Sequence, residues 1–309
     1  MKNTINSVLI TGANSGLGKE AARQLAESGT KKIYLGCRNR IKAKSAKEEL
    51  EKLTGKFVFE ILLIDVSNLD SVREAVTNLP EPVEALILNA GGMGGKIPGK
   101  LTKDGVTFMF ATNVLGHTLL LKELAKVDKL TKFVLYAGSE AARGVPLMKM
   151  NRPQLKDSSV NEFIKIIDGS FFGDKFEPMS TYGYVKYIGA LWMASAARQY
   201  PELKFITMSP GASTGSAMSD APLFFKIIMK YLALPLMKMF GKYHALETGA
   251  KRYVRGLNDS SLDNGRFYAS EYPKMTGDIV DQSTIFEDIA DHRIQDNANE
   301  AIHHFLPET

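Results

Sequence analysis

Residues 7–18 read Ser-Val-Leu-Ile-Thr-Gly-Ala-Asn-Ser-Gly-Leu-Gly, and the architecture follows from this stretch. The apolar run Val8-Leu9-Ile10, stopped by glycine, is typical of a buried strand, and residues 19–28 have helical spacing. Glycines between a strand and a helix let a phosphate approach the N–H groups at the helix N-terminus. The spacing Thr-Gly-x-x-x-Gly-x-Gly is a variant of the dinucleotide fingerprint; a plain tight turn is the alternative. The nucleotide-binding interpretation covers Gly12, Asn14, Ser15, Gly16, Leu17 and Gly18.

Strand and helix patterns alternate along the rest of the chain. Further strands are predicted at 32–36, 57–65, 83–89, 132–137, 204–209 and 264–268, and helices at 41–53, 69–78, 113–128 and 182–200. This alternation predicts a Rossmann-type, doubly wound, mostly parallel sheet with helices on both faces. We expect a single domain over residues 1–309, interrupted by a long insertion at 140–181 and a substrate-lid segment at 216–244.

Composition excludes several classes of protein. The 309 residues are 44% hydrophobic and 24% charged, as in an ordinary globular domain. The net charge is +5, and scattered Lys and Arg do not form a nucleic-acid-binding stripe. Cys37 is the only cysteine, which excludes an internal disulfide and suits a reducing compartment. With no apolar signal region before residue 7, we expect a cytoplasmic protein. The five histidines lack metal-ligand spacing, so no metal site is expected.

Polar residues follow the second, third and fourth strands, where this architecture places its ligand. The second strand leads into Arg38, with no acidic residue nearby, and an arginine there favours a 2′-phosphate over a 2′-hydroxyl. We therefore favour NADP(H), with the roles of Arg40 and Lys42 left open. Asp65 and Val66 end the third strand, where the carboxylate could accept a hydrogen bond from the adenine amino group. The triplet Asn89-Ala90-Gly91 ends the fourth strand.

Tyr182 and Lys186 are four residues apart on a predicted helix, so they stack one turn above the other. A neighbouring ammonium favours the phenolate form of a tyrosine. The pair can therefore transfer protons near neutral pH. The alternative is a surface tyrosine and lysine at a common spacing, and the upstream motifs favour the catalytic interpretation.

As a set, these motifs resemble the short-chain dehydrogenase/reductase family over about residues 7–268. The resemblance implies a Rossmann-type domain, a nicotinamide cofactor and hydride transfer. It also implies that Tyr182 donates or accepts the proton, and that Lys186 lowers the Tyr182 pKa and binds the nicotinamide ribose. Ser139 would bind the substrate oxygen, and Asn113 would hold the water of a proton relay. Residues Pro210, Gly211 and Thr214 would meet the nicotinamide end.

Cys37-Arg38 and the segment Thr112-Asn113-Val-Leu-Gly116-His117 are similar to retinol dehydrogenases and light-dependent protochlorophyllide reductases, which act on lipophilic substrates with NADPH. The sequence departs from the family at Leu88, where many members have asparagine, and at Gly138, where serine is common. Ser139 and Tyr182 are also further apart than in a minimal member.

Two stretches do not fit the alternation of strand and helix. Within the insertion, Val160, Phe163, Ile164 and Ile167 have helix spacing, and Gly169 ends the run. The apolar segment 222–240 is open to three interpretations: a lid over an apolar pocket, core packing, or an interfacial helix with Lys226, Lys230 and Lys238 toward one side.

The sequence thus predicts an NADPH-dependent oxidoreductase that acts on a bulky lipophilic carbonyl or alcohol. Reduction of a carbon–carbon double bond is a second enzymatic interpretation, and a non-catalytic NADPH-sensing protein is the rival from another class. A homodimer is the default expectation, because the Tyr–Lys helix often packs in a dimer interface in this family, whereas some members with long insertions are monomers. Peripheral membrane contact through 222–240 stays open, and no nucleic-acid partner is expected.

Overall fold

The computed structural model describes residues 5–213 and 243–307, and the elements of these ranges are numbered here in chain order. The strands are β1 (Ser7–Thr11), β2 (Lys32–Cys37), β3 (Phe59–Leu63), β4 (Val83–Leu88), β5 (Leu130–Ala137), β6 (Lys204–Met208), β7 (Arg266–Ser270) and β8 (Ile279–Asp281). They form one sheet in the order β3-β2-β1-β4-β5-β6-β7-β8. All neighbours are parallel except β7 and β8. The predicted doubly wound, mostly parallel sheet is confirmed.

Helices cover both faces of this sheet. They are α1 (Gly16–Glu27), α2 (Arg40–Thr54), α3 (Leu69–Asn78), α4 (Phe108–Phe110), α5 (Gly116–Lys126), α6 (Val160–Asp168), α7 (Pro178–Gln199), α8 (Leu246–Asn258), α9 (Glu287–Ala290) and α10 (His292–His303). A π-helical turn, Ala111–Leu115, joins α4 to α5 into one continuous helical stretch. The predicted helix 113–128 therefore begins earlier, at Phe108.

Alternate strand residues point to opposite faces, so each strand serves two apolar cores. In β1, Leu9 belongs to the core under α3, α5 and α7, whereas Val8 and Ile10 belong to the core under α1, α2 and α8. Because both faces are covered, the strands read as continuous apolar runs rather than as alternating patterns.

The insertion at 140–181 is folded against the rest of the molecule. It contains the 3-10 turns Glu140–Arg143, Pro146–Met148 and Ser170–Lys175 together with α6. The predicted helical run at 160–167 is confirmed as α6, which ends at Gly169 with φ +87°. Ser159 caps α6 by accepting a hydrogen bond from the Glu162 amide at 3.1 Å.

Glu162 also orders the chain before α6. Its carboxylate accepts hydrogen bonds from the amides of Lys156, Asp157 and Ser158 at 2.7, 3.0 and 2.8 Å. The side chain is nearly buried. One carboxylate therefore accepts hydrogen bonds from three backbone N–H groups that would otherwise have no acceptor in the protein.

Helix α7 lies under α6 and α10. Ser195 on α7 donates a hydrogen bond to the Asp296 carboxylate on α10 at 2.7 Å, and Arg198 pairs with the same carboxylate. Tyr187 donates to Asp288 on α9 at 2.5 Å. The helix is consequently buried on most of its circumference.

The predicted lid at 216–244 and the segment 222–240 lie outside the described residues, apart from Tyr243 and His244. The described residues on either side of this segment are in contact, because Ser213 and His244 form a parallel β-bridge. The His244 amide also donates to the Ala212 carbonyl at 2.9 Å.

Candidate active site

The glycine turn after β1 leaves the N-terminus of α1 open. The N-cap residue Ser15 accepts no side-chain hydrogen bond, whereas α2 and α3 are capped by asparagine side chains. Gly12 and Gly16 adopt φ of +69° and +55°, which other residues rarely tolerate. A Cβ on Gly18 would lie 2.5 Å from the Asn89 amide nitrogen. The turn therefore fits a closely approaching pyrophosphate held by free N–H groups.

The triplet Asn89-Ala90-Gly91 is tied to this turn through Thr11. The Asn89 side-chain amide donates to the Thr11 carbonyl at 2.9 Å, and the Asn89 and Ala90 amides donate to the Thr11 hydroxyl at 2.9 Å each. The carboxyl ends of β1 and β4 thus form one rigid crevice wall.

His117 supports the same wall from inside the protein, a role that its spacing did not predict. Nδ1 lies 3.0 Å from the Asn113 carbonyl and must carry the proton, because a carbonyl only accepts. Nε2, at 3.0 Å, then accepts from the Thr11 hydroxyl. Burial lowers the pKa of His117 to about 3, so the ring stays neutral.

Asn113 lies in the π-helical turn and is fully buried. Its side chain accepts from the Gly92 amide at 3.1 Å and donates to the carbonyls of Gly92 and Met109 at 2.8 Å each. The side chain therefore holds the segment after β4, and its backbone carbonyl is already bonded by His117. The relay water expected at Asn113 stays a prediction.

A cavity of about 440 Å³ opens at the carboxyl ends of β2 and β3. Arg38, Arg40 and Asp65 line it, and Lys42 does not. Among the described residues, Arg38 and Arg40 form no ion pair. The Asp65 carboxylate accepts from the Ser67 amide and hydroxyl at 2.9 and 2.7 Å, and Val66 is buried beside it. The cavity can therefore present two cations and a carboxylate to the adenosine end of a nucleotide.

Tyr182 and Ser139 meet above the sheet. Burial is the largest effect on the Tyr182 phenol, and it raises the pKa of Tyr182 to about 12. The Ser139 hydroxyl acts on the same phenol and lowers its pKa, and it accepts a hydrogen bond from the Ala141 amide at 3.2 Å. The 3-10 turn Glu140–Arg143 packs against α7, which brings these residues together despite their separation in sequence.

Lys186 lies one turn further along α7 and is 3% exposed. Its Nζ donates to the Ala137 carbonyl at 2.9 Å and to the Tyr136 hydroxyl at 3.4 Å, and lies 5.6 Å from the centre of the Tyr182 ring. Burial lowers the pKa of Lys186 to about 7. Burial therefore dominates the Tyr182 pKa, which is raised rather than lowered as the family resemblance implied.

The turn after β6 contains Pro210 and Gly211, which were predicted to meet the nicotinamide. His244 donates from Nε2 to the Pro210 carbonyl at 2.7 Å. Gly211 has φ +73°, and a Cβ there would lie 2.7 Å from the His244 ring. Thr214 lies outside the described residues.

Sequence reasoning missed the apolar wall beside Tyr182. This wall consists of Ala141, Val145, Met150 and Met275, with Met179 and Ala212 packed against it. Its members come from the insertion, α7 and the loops after β6 and β7, so no local pattern could have grouped them. The arrangement places a proton-transfer group next to an apolar, adaptable surface.

The described ranges hold no cluster of three or more His, Cys, Asp or Glu side chains able to bind a metal ion. Their helices are too short or too polar to cross a bilayer. Cys37 is buried, and burial raises the pKa of its thiol to about 11, so it is a packing residue rather than a nucleophile.

Comparison with known proteins identifies the family to which this chain belongs. A family profile described as short chain dehydrogenase matches residues 6–132. A chloroplastic protochlorophyllide reductase from Pisum sativum is 33% identical over 290 residues, which cover 85% of this chain and 69% of that protein. The chain belongs to the short-chain dehydrogenase family. This dehydrogenase is also 30% identical to protochlorophyllide reductase B of Oryza sativa, over 85% of this chain and 69% of that protein.

Solved structures agree on the fold of this dehydrogenase. A short-chain type dehydrogenase/reductase from Mycobacterium ulcerans matches with a TM-score of 0.63 at 18% identity, covering 98% of this chain and 99% of that one. L-sorbose reductase from Gluconobacter frateurii, complexed with NADPH and L-sorbose, matches with a TM-score of 0.63 at 15% identity, covering 90% and 99%. At these identities the likeness concerns the Rossmann-type architecture alone.

Proposed function

We propose that this dehydrogenase uses NADP(H) to interconvert a bulky lipophilic carbonyl and its alcohol, with Tyr182 as the proton donor or acceptor. The observation that carries the proposal is the contact of Tyr182 with Ser139 on one side and the methionine-containing apolar wall on the other. A polar pair can orient one oxygen atom, while the wall accepts the apolar remainder of the substrate.

The cofactor is proposed from the chain's own residues. The open N-terminus of α1 suits the pyrophosphate. Arg38 and Arg40, which line the cavity beside Asp65, suit a 2′-phosphate. The roles of Asp65, Val66, Asn89, Ala90, Gly91, Pro210, Gly211 and Thr214 in binding remain part of this proposal.

The reaction needs four contributions from this chain, beside the cofactor. When bound, the nicotinamide supplies or accepts the hydride. Ser139 orients the substrate oxygen, and Tyr182 donates its phenolic proton to that oxygen during reduction. Lys186, buried one turn away, stabilises the phenolate that remains until a solvent proton replaces the one transferred. The apolar wall excludes water from the reacting atoms.

Reduction of a carbon–carbon double bond is the second candidate. It is favoured by the similarity to proteins named protochlorophyllide reductases. The same tyrosine would then protonate a carbon atom, and the flat macrocycle of such a substrate would rest on the adaptable methionine side chains.

The membrane contact proposed for 222–240 falls outside the described residues. The cytoplasmic location remains a proposal, supported by the single cysteine, Cys37, which leaves no pair for an internal disulfide.

The test is NADPH oxidation by the purified protein with lipophilic aldehydes, ketones, enones and protochlorophyllide, the last in light and in darkness. Tyr182→Phe keeps the ring and deletes the proton, so turnover should fall about a hundredfold or more while NADPH affinity is unchanged. Product analysis separates alcohols from saturated carbonyl compounds.

Tyr187→Phe is the matched control, because the Tyr187 hydroxyl bonds Asp288 rather than the site. It should keep wild-type turnover. Full activity in Tyr182→Phe would remove this tyrosine from the mechanism, and NADPH binding without turnover of any substrate would favour the sensing protein.

A further inference from the structure

Four buried side chains form a polar cluster behind Ser139. Glu140 follows it in the 3-10 turn, Ser209 follows β6, Ser270 ends β7, and Arg252 lies on α8. Glu140 and Arg252 are only 5% and 6% exposed, and both serines are fully buried. The cluster joins three neighbouring carboxyl ends of the sheet at the edge of the candidate site.

Glu140 is the centre of the cluster. Its carboxylate accepts from the Ser209 hydroxyl at 2.5 Å and from the Ser270 hydroxyl at 3.0 Å. Arg252 lies 3.6 Å from the same carboxylate and donates to the Ser270 hydroxyl at 3.0 Å. The buried charges are therefore paired and hydrogen-bonded, as burial requires.

The cluster reaches the turn that contains Pro210 and Gly211. The Ser209 hydroxyl, having donated to Glu140, accepts from the Gly211 amide at 3.1 Å. Arg252 donates to the Ser209 carbonyl at 3.2 Å, and a Cβ on Gly211 would lie 2.8 Å from its guanidinium. Carboxylate, hydroxyl and amide thus form a chain that fixes the turn from its protein side.

The cluster also affects the other side of the site. The negative charge of Glu140 contributes to the raised pKa of Tyr182. The charge of Glu140 also favours a higher pKa in other charged and titratable groups, and the full set among the described residues is Arg143, Arg252, His244, Tyr182 and Tyr253. A buried ion pair contributes little net stability compared with apolar packing. Stability alone therefore does not explain why the Glu140–Arg252 pair is linked to both the Pro210–Gly211 turn and the turn that begins at Ser139.

We propose that Glu140, Arg252 and Ser209 are positioning residues that hold the Pro210–Gly211 turn and Ser139 in register for the nicotinamide and the substrate oxygen. This inference rests on the proposed function, since it assumes a nicotinamide at that turn. Glu140 acts through Ser209 on the Gly211 amide, and through its own backbone on Ser139.

The test compares two probes, NADPH and adenosine 2′,5′-bisphosphate, which has the adenosine end of the cofactor and lacks the nicotinamide. Ser209→Ala should weaken NADPH binding about tenfold, the effect of losing a hydrogen bond to a charged group. Binding of the bisphosphate should be unchanged. A general loss of structure would weaken both probes equally, and that outcome would overturn the inference.

Ser195→Ala is the matched control, because Ser195 is equally buried and donates to a carboxylate, Asp296, far from the crevice. It should leave both dissociation constants unchanged. Glu140→Gln is a second variant, and it should weaken NADPH binding in the same selective way. If wild type binds NADPH but Ser209→Ala matches Ser195→Ala, the inference fails and the proposed function stands. If wild type does not bind NADPH, the proposed function itself fails.

Discussion

Tyr182 and Lys186 are both held toward their uncharged forms. Burial raises the pKa of the phenol to about 12 and lowers the pKa of the ammonium to about 7. A proton donor works below its own pKa and fails above it, so Tyr182 is ready to act as an acid at neutral pH. Oxidation would require the phenolate first.

Arg38 carries a prediction about cofactor choice. In Arg38→Ala, the 2′-phosphate loses a charge-assisted partner, so NADPH affinity should fall roughly ten- to a hundredfold. NADH, which lacks that phosphate, should bind as before. Fluorescence titration of both cofactors measures the change. Lys42→Ala is the control, because Lys42 does not line the cavity. Equal affinity of wild type for NADPH and NADH would refute this role.

At the scale of elements, the insertion depends on one short capping arrangement. Glu162 gathers the amides of residues 156–158 at the start of α6. The Tyr184 hydroxyl on α7 meets the backbone of Gln154 twice, at 3.1 Å as donor to the carbonyl and as acceptor from the amide. These contacts hold the chain that follows Met150, so they fix this side of the apolar wall.

Glu162→Ala should expose those three amides to water. Their hydrogen exchange should become faster, and the free energy of unfolding should fall by about 1 to 2 kcal/mol. NADPH affinity should persist, because the glycine turn is remote from the insertion, while turnover should fall as the wall loosens. Exchange mass spectrometry and steady-state kinetics measure the two effects. Glu287→Ala, at an exposed first-turn position of α9, is the control. Unchanged exchange in Glu162→Ala would show that the capping contacts do not hold the segment.

Elements with local repetition could be predicted from sequence, and those without it could not. Residues 8–10 of β1 and 85–88 of β4 are continuous apolar runs, and α6 has helix spacing. β8 has three residues and pairs antiparallel with β7, too few to show any period. The cluster of Glu140, Ser209 and Arg252 depends on contacts between residues that are at least 43 positions apart. Such contacts exist only once the sheet has brought its strand ends together.

At the scale of the whole molecule, the packing of α6 and α10 against α7 bears on the expected homodimer. That expectation required a free face on the helix that contains Tyr182. Among the described residues, α6 and α10 occupy this face, with Ser195 and Arg198 bonded to Asp296. A second copy could not use α7 without displacing them.

We therefore predict a monomer at micromolar concentration, measured as the mass in light scattering after size exclusion. Asp296→Lys places a cation next to Arg198 and removes the acceptor of Ser195, so it should loosen α10 and promote association. Asp259→Lys, which breaks the ion pair with Arg255 at the end of α8, is the control and should keep the wild-type mass. A dimeric mass for the wild-type protein would contradict the prediction.

The packing of α10 against α7 also has a consequence during protein synthesis. Ser195 and its partner Asp296 are 101 residues apart in the chain. At about 5 to 20 residues per second, a ribosome needs roughly 5 to 20 s to make that distance. Through this interval the strands already made can assemble and α6 can pack on α7, but the side of α7 that contacts α10 is not yet covered by its own chain. The nascent protein is therefore most dependent on chaperones after its catalytic helix is made and before α10 emerges.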